Sequence, residues 1–146
     1  MTAKPATYEL KLERTLAAAP QRVWKALTDA QQISLWYGPS EEYRIEVHAW
    51  DCRVGGKYRV SMHHKGGNVH SVAGEFREIS DGKRLSYTWA WEGAPPMNTL
   101  VTFEITPEGK GTKLHFLHTG LPDENSRNQH NQGWTGSMDR LAKAMK

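Results

Sequence analysis

His118 follows Leu114 and Phe116 at two-residue spacing, so on a strand it shares their apolar face and looks inward. A single inward imidazole could orient a ligand or act as acid or base near neutral pH. It could equally be a structural histidine, hydrogen-bonded to a helix that covers the sheet. The other six histidines offer less. His63 and His64 are adjacent and must point to opposite faces of a strand, and His115 and His118, three apart, also diverge. Neither pair chelates as placed, and with a single cysteine no metal site is expected. Cys52 lies in a turn with no base positioned to activate it. Arg14 stands on an otherwise apolar face and needs a partner, either a carboxylate such as Asp29 or an anionic ligand group. No nucleophile elbow or dinucleotide fingerprint is present, and Gly109 to Thr112 lacks the spacing of a phosphate loop.

The larger resource is apolar. Leu85, Tyr87, Trp89 and Trp91 occupy one face of a strand and Ser86, Thr88 and Ala90 the other. Near the end of the chain Trp134, Met138, Leu141 and Met145 form a stripe at helical spacing. A curved sheet gripping a terminal helix would bring the two together, and between them aromatics and methionines suit the wall of an apolar ligand site. The candidate wall residues are Trp36, Tyr58, Met62, Phe76, Trp89, Trp91, Phe103, Phe116, His118, Trp134 and Met138. Inner-face aromatics also simply fill cores, and a buried indole N–H left without a partner beside a void would favour a ligand. Trp50 alternates onto the polar face of its strand, and with Trp36 and Tyr37 it could form an exposed patch for a homodimer.

The elements that must position these groups follow from the periodicity. Tyr8, Leu10, Leu12 and Leu16 alternate with polar residues in a first strand, and Pro20 opens a short helix carrying Val23, Trp24 and Leu27. Thr28 and Asp29 are capping types before a second short helix with Ile33 and Trp36 that ends near Gly38-Pro39. From Tyr43 the period is two. Tyr43, Ile45, Val47 and Ala49 make one strand and Tyr58, Val60 and Met62 the next; in the third, Ile79 falls out of phase, which predicts a bulge near Glu78. The tryptophan strand is closed by Gly93 to Pro96; Thr99 to Ile105 and Thr112 to His118 complete seven strands, six of them consecutive and expected to meander. Asp123 caps a final helix of about 30 Å. Gly133 and Gly136 lie inside it and predict close approach of its backbone to the sheet beside Trp134.

At 146 residues with one cysteine, the chain fits a single domain that folds without disulfides. Its net charge of +3 comes from 19 basic and 16 acidic residues interspersed, a solvated surface and not a nucleic-acid footprint. No apolar run reaches the 18 or so residues of a membrane span and no leader is evident, so a soluble cytoplasmic protein is expected.

The order strand, two short helices, six strands, long helix resembles the α+β helix-grip fold of the START-like (SRPBCC) superfamily. Arg14 with Ala19-Pro20, Val23-Trp24, Leu27-Thr28-Asp29, Trp36, Val54-Gly55-Gly56 with Tyr58, Gly74-Glu75-Phe76, Arg84-Leu85, Thr88-Trp89-Ala90-Trp91, Gly111-Thr112, and Gly133-Trp134 with Leu141 are similar to the activator of heat-shock protein 90 ATPase homologue family, over roughly residues 8 to 145. The resemblance implies an apolar cavity between the final helix and the sheet. It does not imply one activity, because lipid carriers, receptors and cyclases share the fold. The eukaryotic co-chaperone of that family has a further amino-terminal domain for which this chain has no room, so a chaperone partner is not the leading expectation. Three classes stay open: a binder of a small apolar or amphipathic molecule, without cofactor; a cyclase- or dehydratase-type enzyme using His118; and a co-chaperone-like interaction module.

Overall fold

Seven antiparallel strands in the order β1-β7-β6-β5-β4-β3-β2 form a curved sheet that receives two short helices and one long helix. The structure is a computed structural model and describes residues 8–93 and 99–145. The strands are β1 (Tyr8–Leu16), β2 (Tyr43–Trp50), β3 (Lys57–His64), β4 (Val69–Ser80), β5 (Arg84–Trp91), β6 (Thr99–Glu108) and β7 (Gly111–Leu121); the helices are α1 (Pro20–Thr28), α2 (Ala30–Ile33) and α3 (Glu124–Ala144). Strands β2 to β7 meander as their periodicity predicts, and β1 closes against β7. Of the closing turn expected at Gly93 to Pro96, the last three residues lie outside the described residues.

Local chemistry sets the helix boundaries. Pro20 occupies the first turn of α1, where a missing N–H costs nothing, and Val23, Ala26 and Leu27 are buried on one face. The Asp29 carboxylate accepts from Gln31 N and so caps α2. That role removes it as the partner expected for Arg14, whose guanidinium instead reaches Asp139 on α3 at 3.2 Å. The Asp123 carboxylate accepts from Ser126 N and starts α3, which buries Trp134, Ser137, Met138 and Leu141.

Two bulges decide which side chains face the helix. In β4 the register shifts between Phe76 and Glu78, as the misplaced Ile79 predicts. In β2 an extra residue between Val47 and Ala49 reverses the alternation: Ala49 is exposed, and Trp50 pairs with Tyr58 and turns inward. Its indole N–H donates to Thr28 O at 2.8 Å and its ring packs on Phe76 and Tyr58. Trp36 and Tyr37 are each 1% exposed. The exposed Trp36, Tyr37, Trp50 patch expected for a dimer is therefore absent: the one-residue bulge turns Trp50 inward, and Trp36 packs on Phe103 and Tyr37 on Trp89 and Trp134.

Gly136 permits the closest approach of α3, since a Cβ there would stand 1.9 Å from Pro39 O. The approach is to the segment that follows α2, not to the sheet. Ser137 Oγ donates to Gly38 O at 2.9 Å and Arg140 donates to Tyr37 O, so one stretch of α3 fixes residues 37–39.

Candidate functional site

His118 sits in β7, fully buried, with both ring nitrogens engaged. Trp134 Nε1 donates to His118 Nδ1 at 3.2 Å, so the imidazole carries its proton on Nε2 and donates it to Thr99 Oγ1 at 3.0 Å; Thr99 in turn donates to Trp89 O. Burial, reinforced by His130 nearby, pushes its pKa down to about 3. Both nitrogens thus meet protein partners, one of them Trp134 on α3, the arrangement of a histidine hydrogen-bonded to the covering helix.

A second histidine, not singled out from the sequence, lies next to it. His130 on α3 is 5.1 Å from His118, ring centre to ring centre. Its Nδ1–H donates to Ser126 O at 2.7 Å, leaving Nε2 to accept from Trp91 Nε1 at 3.0 Å. Burial lowers the pKa of this ring as well, opposed by the bond to Ser126. Both histidines therefore serve as acceptors for indole N–H groups that would otherwise be buried without partners. Trp36 donates to Ala26 O and Trp50 to Thr28 O in the same way.

Trp89 is the exception. Its Nε1 is the one buried side-chain nitrogen or oxygen among the described residues with no hydrogen-bond partner. An unsatisfied buried donor costs about 1–3 kcal/mol, so its position matters. The Trp89 ring is packed against Trp134 at 4.8 Å, Trp91 at 5.3 Å and Tyr37 at 6.1 Å, and it forms part of the wall of a pocket of about 370 Å³.

Three parts of the chain build that pocket. From α3 come Gln129, His130, Gly133, Trp134 and Ser137, which share one helix face; from the sheet come Met62, His70, Trp89 and Trp91; and Tyr37, Gly38, Pro39 and Tyr43 form the third side. Gly133 faces open space, with nothing within 4 Å of where a Cβ would be. The close packing expected at this glycine does not occur; its missing side chain leaves room in the wall. Gln129 and His70 are exposed. The Tyr37 hydroxyl is 2.9 Å from that of Tyr87 and is kept protonated by burial, with Tyr87 adding to the effect.

Of the residues nominated from the sequence, Met62, Trp89, Trp91 and Trp134 come together in this wall. Trp36, Tyr58, Phe76, Phe103, Phe116 and Met138 lie instead in the packed core, none more than 2% exposed, and His118 stands behind Trp89 and Trp134. The reason is geometric: Trp134 of α3 packs onto Phe103 and Phe116, Met138 is buried on the same helix, Tyr58 and Phe76 pack with Trp50 and Tyr87, and Trp36 packs on Tyr37 and Phe103. Among the residues missed, His70 is two before Val72 and Tyr43 two before Ile45, both on inner faces, and His130 and Ser137 flank Trp134 on its helix face; polarity hid them. Residues 37–39 carry no periodicity to read. Cys52 is half-buried and its thiol is pushed up to about 11 by burial and by Asp51, which leaves it unreactive. Among the described residues no three His, Cys, Asp or Glu side chains are grouped to hold a metal ion, and no helix is long and apolar enough to cross a membrane.

Comparison with known proteins places this geometry. The family model described as Activator of Hsp90 ATPase homolog 1-like protein matches residues 17–146. A crystal structure of a Chromobacterium violaceum protein is similar with a TM-score of 0.87 and 29% identity, covering 94% of this chain and 96% of that one. One from Nitrosomonas europaea has a TM-score of 0.77 and 26% identity over 94% and 93% of the two chains. A Silicibacter pomeroyi protein whose description carries the same family name shares the fold, with a TM-score of 0.85 at 24% identity over 94% and 96%. No curated protein matches the chain.

Proposed function

The chain belongs to the Activator of Hsp90 ATPase homolog 1-like family, and on that premise we propose that it binds a small apolar or amphipathic molecule between α3 and the sheet. The observation that carries this reading is the pocket itself. About 370 Å³ is within the range of small-molecule sites. A fold that packs Trp36, Phe103 and Met138 without exposure leaves space where Trp89, Trp91, Trp134 and Met62 converge. Rigid aromatic walls lose little side-chain entropy when a ligand docks, so such a site retains most of the affinity that burial provides. Binding, not catalysis, is the reading favoured by His118, whose two nitrogens are already engaged with Trp134 and Thr99.

The test is a titration with the neutral fluorophore N-phenylnaphthylamine, with native mass spectrometry of freshly purified protein to detect any molecule carried through purification. Saturable binding at one site is expected, and the Gly133→Leu variant, whose side chain extends into open space, should abolish it while the fold persists. Binding that is unsaturable, or equal in the variant, would sink the proposal.

A further inference from the structure

We infer that the ligand is an uncharged amphipathic molecule held with its apolar body inward and its polar end, a hydroxyl or carbonyl, at the pocket's rim, where His70 and Gln129 select it; the inference rests on the pocket reading above. The two residues come from different walls. His70 stands directly across from Met62 in the pairing of β3 with β4 and two residues before Val72, so its side chain projects from the face that carries these two buried residues. It is nevertheless exposed, which places it where that face runs out into solvent. Gln129 lies one turn before Gly133 and two turns before Ser137 on the helix face that lines the pocket, and it too is exposed. Trp91 joins the two sides: its ring is edge-on to His70 at 6.2 Å, and its N–H donates to His130, the chain neighbour of Gln129.

The buried polar groups of the wall are paired or enclosed. The Tyr37 hydroxyl is bonded to that of Tyr87, Ser137 donates to Gly38 O and Trp134 to His118 Nδ1, while the Trp89 nitrogen has under 1 Å² of accessible surface. At the rim, neither the His70 imidazole nor the Gln129 amide has a hydrogen-bond partner among the described residues. An imidazole and an amide can each donate and accept, so either end of a hydroxyl or a carbonyl finds a complement there. No Lys, Arg, Asp or Glu side chain lines the pocket. Beside Tyr43, His64 bonds to Glu42, which pairs with Lys65 at 3.2 Å, and the guanidinium of Arg140 is committed to Tyr37 O. A carboxylate or ammonium end would surrender part of its hydration with no counter-charge, whereas a hydroxyl or carbonyl surrenders less and regains a hydrogen bond.

Probes that share one phenylbutyl body and differ at its end separate the terms: phenylbutanol, pentylbenzene, phenylbutylammonium and phenylpentanoate. Each is titrated against bound N-phenylnaphthylamine at about pH 8, where an ordinary imidazole is uncharged. Phenylbutanol is expected to bind at least about tenfold tighter than either ion. Gln129→Met and His70→Leu keep side-chain bulk and remove the hydrogen-bonding atoms. In each variant the affinity of phenylbutanol relative to pentylbenzene should fall about threefold to tenfold, the worth of one net hydrogen bond, while pentylbenzene still binds. Both positions are exposed, so neither substitution disturbs the core.

Phenylpentanoate or phenylbutylammonium that binds as tightly as phenylbutanol overturns the inference, because the site then takes a charged end. A ratio of phenylbutanol to pentylbenzene that is unchanged in Gln129→Met or in His70→Leu overturns it as well, because the rim then does not hold the polar end. In those cases fluorophore binding that pentylbenzene displaces and Gly133→Leu abolishes leaves the pocket reading standing. If no probe displaces the fluorophore, or Gly133→Leu binds fluorophore and probes as the wild type does, the pocket reading fails and the inference with it.

Discussion

Gly133 and Gly136 are three residues apart on α3 and mark two different regions of the same interface. At Gly136 a Cβ would collide with Pro39 O, whereas at Gly133 it would meet nothing within 4 Å. Toward the carboxyl end Met138 and Leu141 are wholly buried and Met145 nearly so. Toward the amino end Gln129, His130 and Gly133 line, with Trp89, Trp91 and Met62, a pocket of about 370 Å³. One helix on one sheet thus makes a filled core at one end and a binding-sized space at the other. The difference shows that an apolar stripe specifies where a helix docks but not how completely the space beneath it is filled. Filling depends on how close the backbone can come, and here that is set by Ser137, Arg140 and Gly136 gripping residues 37–39.

The contrast can be broken most strongly at the filled end. Met138→Ala should cost about 2–5 kcal/mol of stability in urea unfolding, the range for truncating a packed side chain; a loss under 1 kcal/mol would mean that the carboxyl half of α3 is not tightly packed. Gly136→Ala should cost about 1–3 kcal/mol by overpacking against backbone that cannot retreat. Its thermal midpoint should fall, and an unchanged midpoint would show that residues 37–39 yield.

The histidines at the boundary add a pH term. A depressed folded pKa means that the unfolded chain takes up the proton first, so stability is complete above the ordinary value of 6.5 and declines as pH falls toward about 3 for His118. The slope is about 1.4 kcal/mol per pH unit for each such group. His118→Gln keeps an acceptor for Trp134 and a donor for Thr99 without titrating. It should flatten the acid limb of a urea-midpoint profile by one proton, and an unaltered limb would remove His118 from the balance. The smallest effect belongs to the open end. Gly133→Ala adds a methyl group to free space and should raise stability by up to about 1 kcal/mol through helix propensity alone. Destabilisation there would mean that the space is not free.

Much of this was legible in the order of residues. The seven strands, the meander, the β4 bulge near Glu78 and the cap at Asp123 follow from period-two alternation, one residue out of phase and a capping type before a helix. Four wall residues, Met62, Trp89, Trp91 and Trp134, were visible as inner-face positions. The β2 bulge was not, because Ala49 and Trp50 fit strict alternation as a sequence and depart from it only in register with Arg59 and Tyr58. Arg14 was expected to seek Asp29 and found Asp139, 125 positions away, since distance along the chain says nothing about which helix crosses which strand.

The chain's own order of side chains determined its elements, the faces they bury and the aromatic character of the interface, because periodicity acts within a few residues of each position. Only the tertiary structure decided which aromatics pack and which border a void, that both nitrogens of His118 are spent on Thr99 and Trp134, that His130 accepts from Trp91, and that Trp89 Nε1 is left without a partner. Those outcomes depend on the gap between α3 and β5, a distance fixed by contacts among residues 37–39, 136, 137 and 140, and no local pattern encodes it.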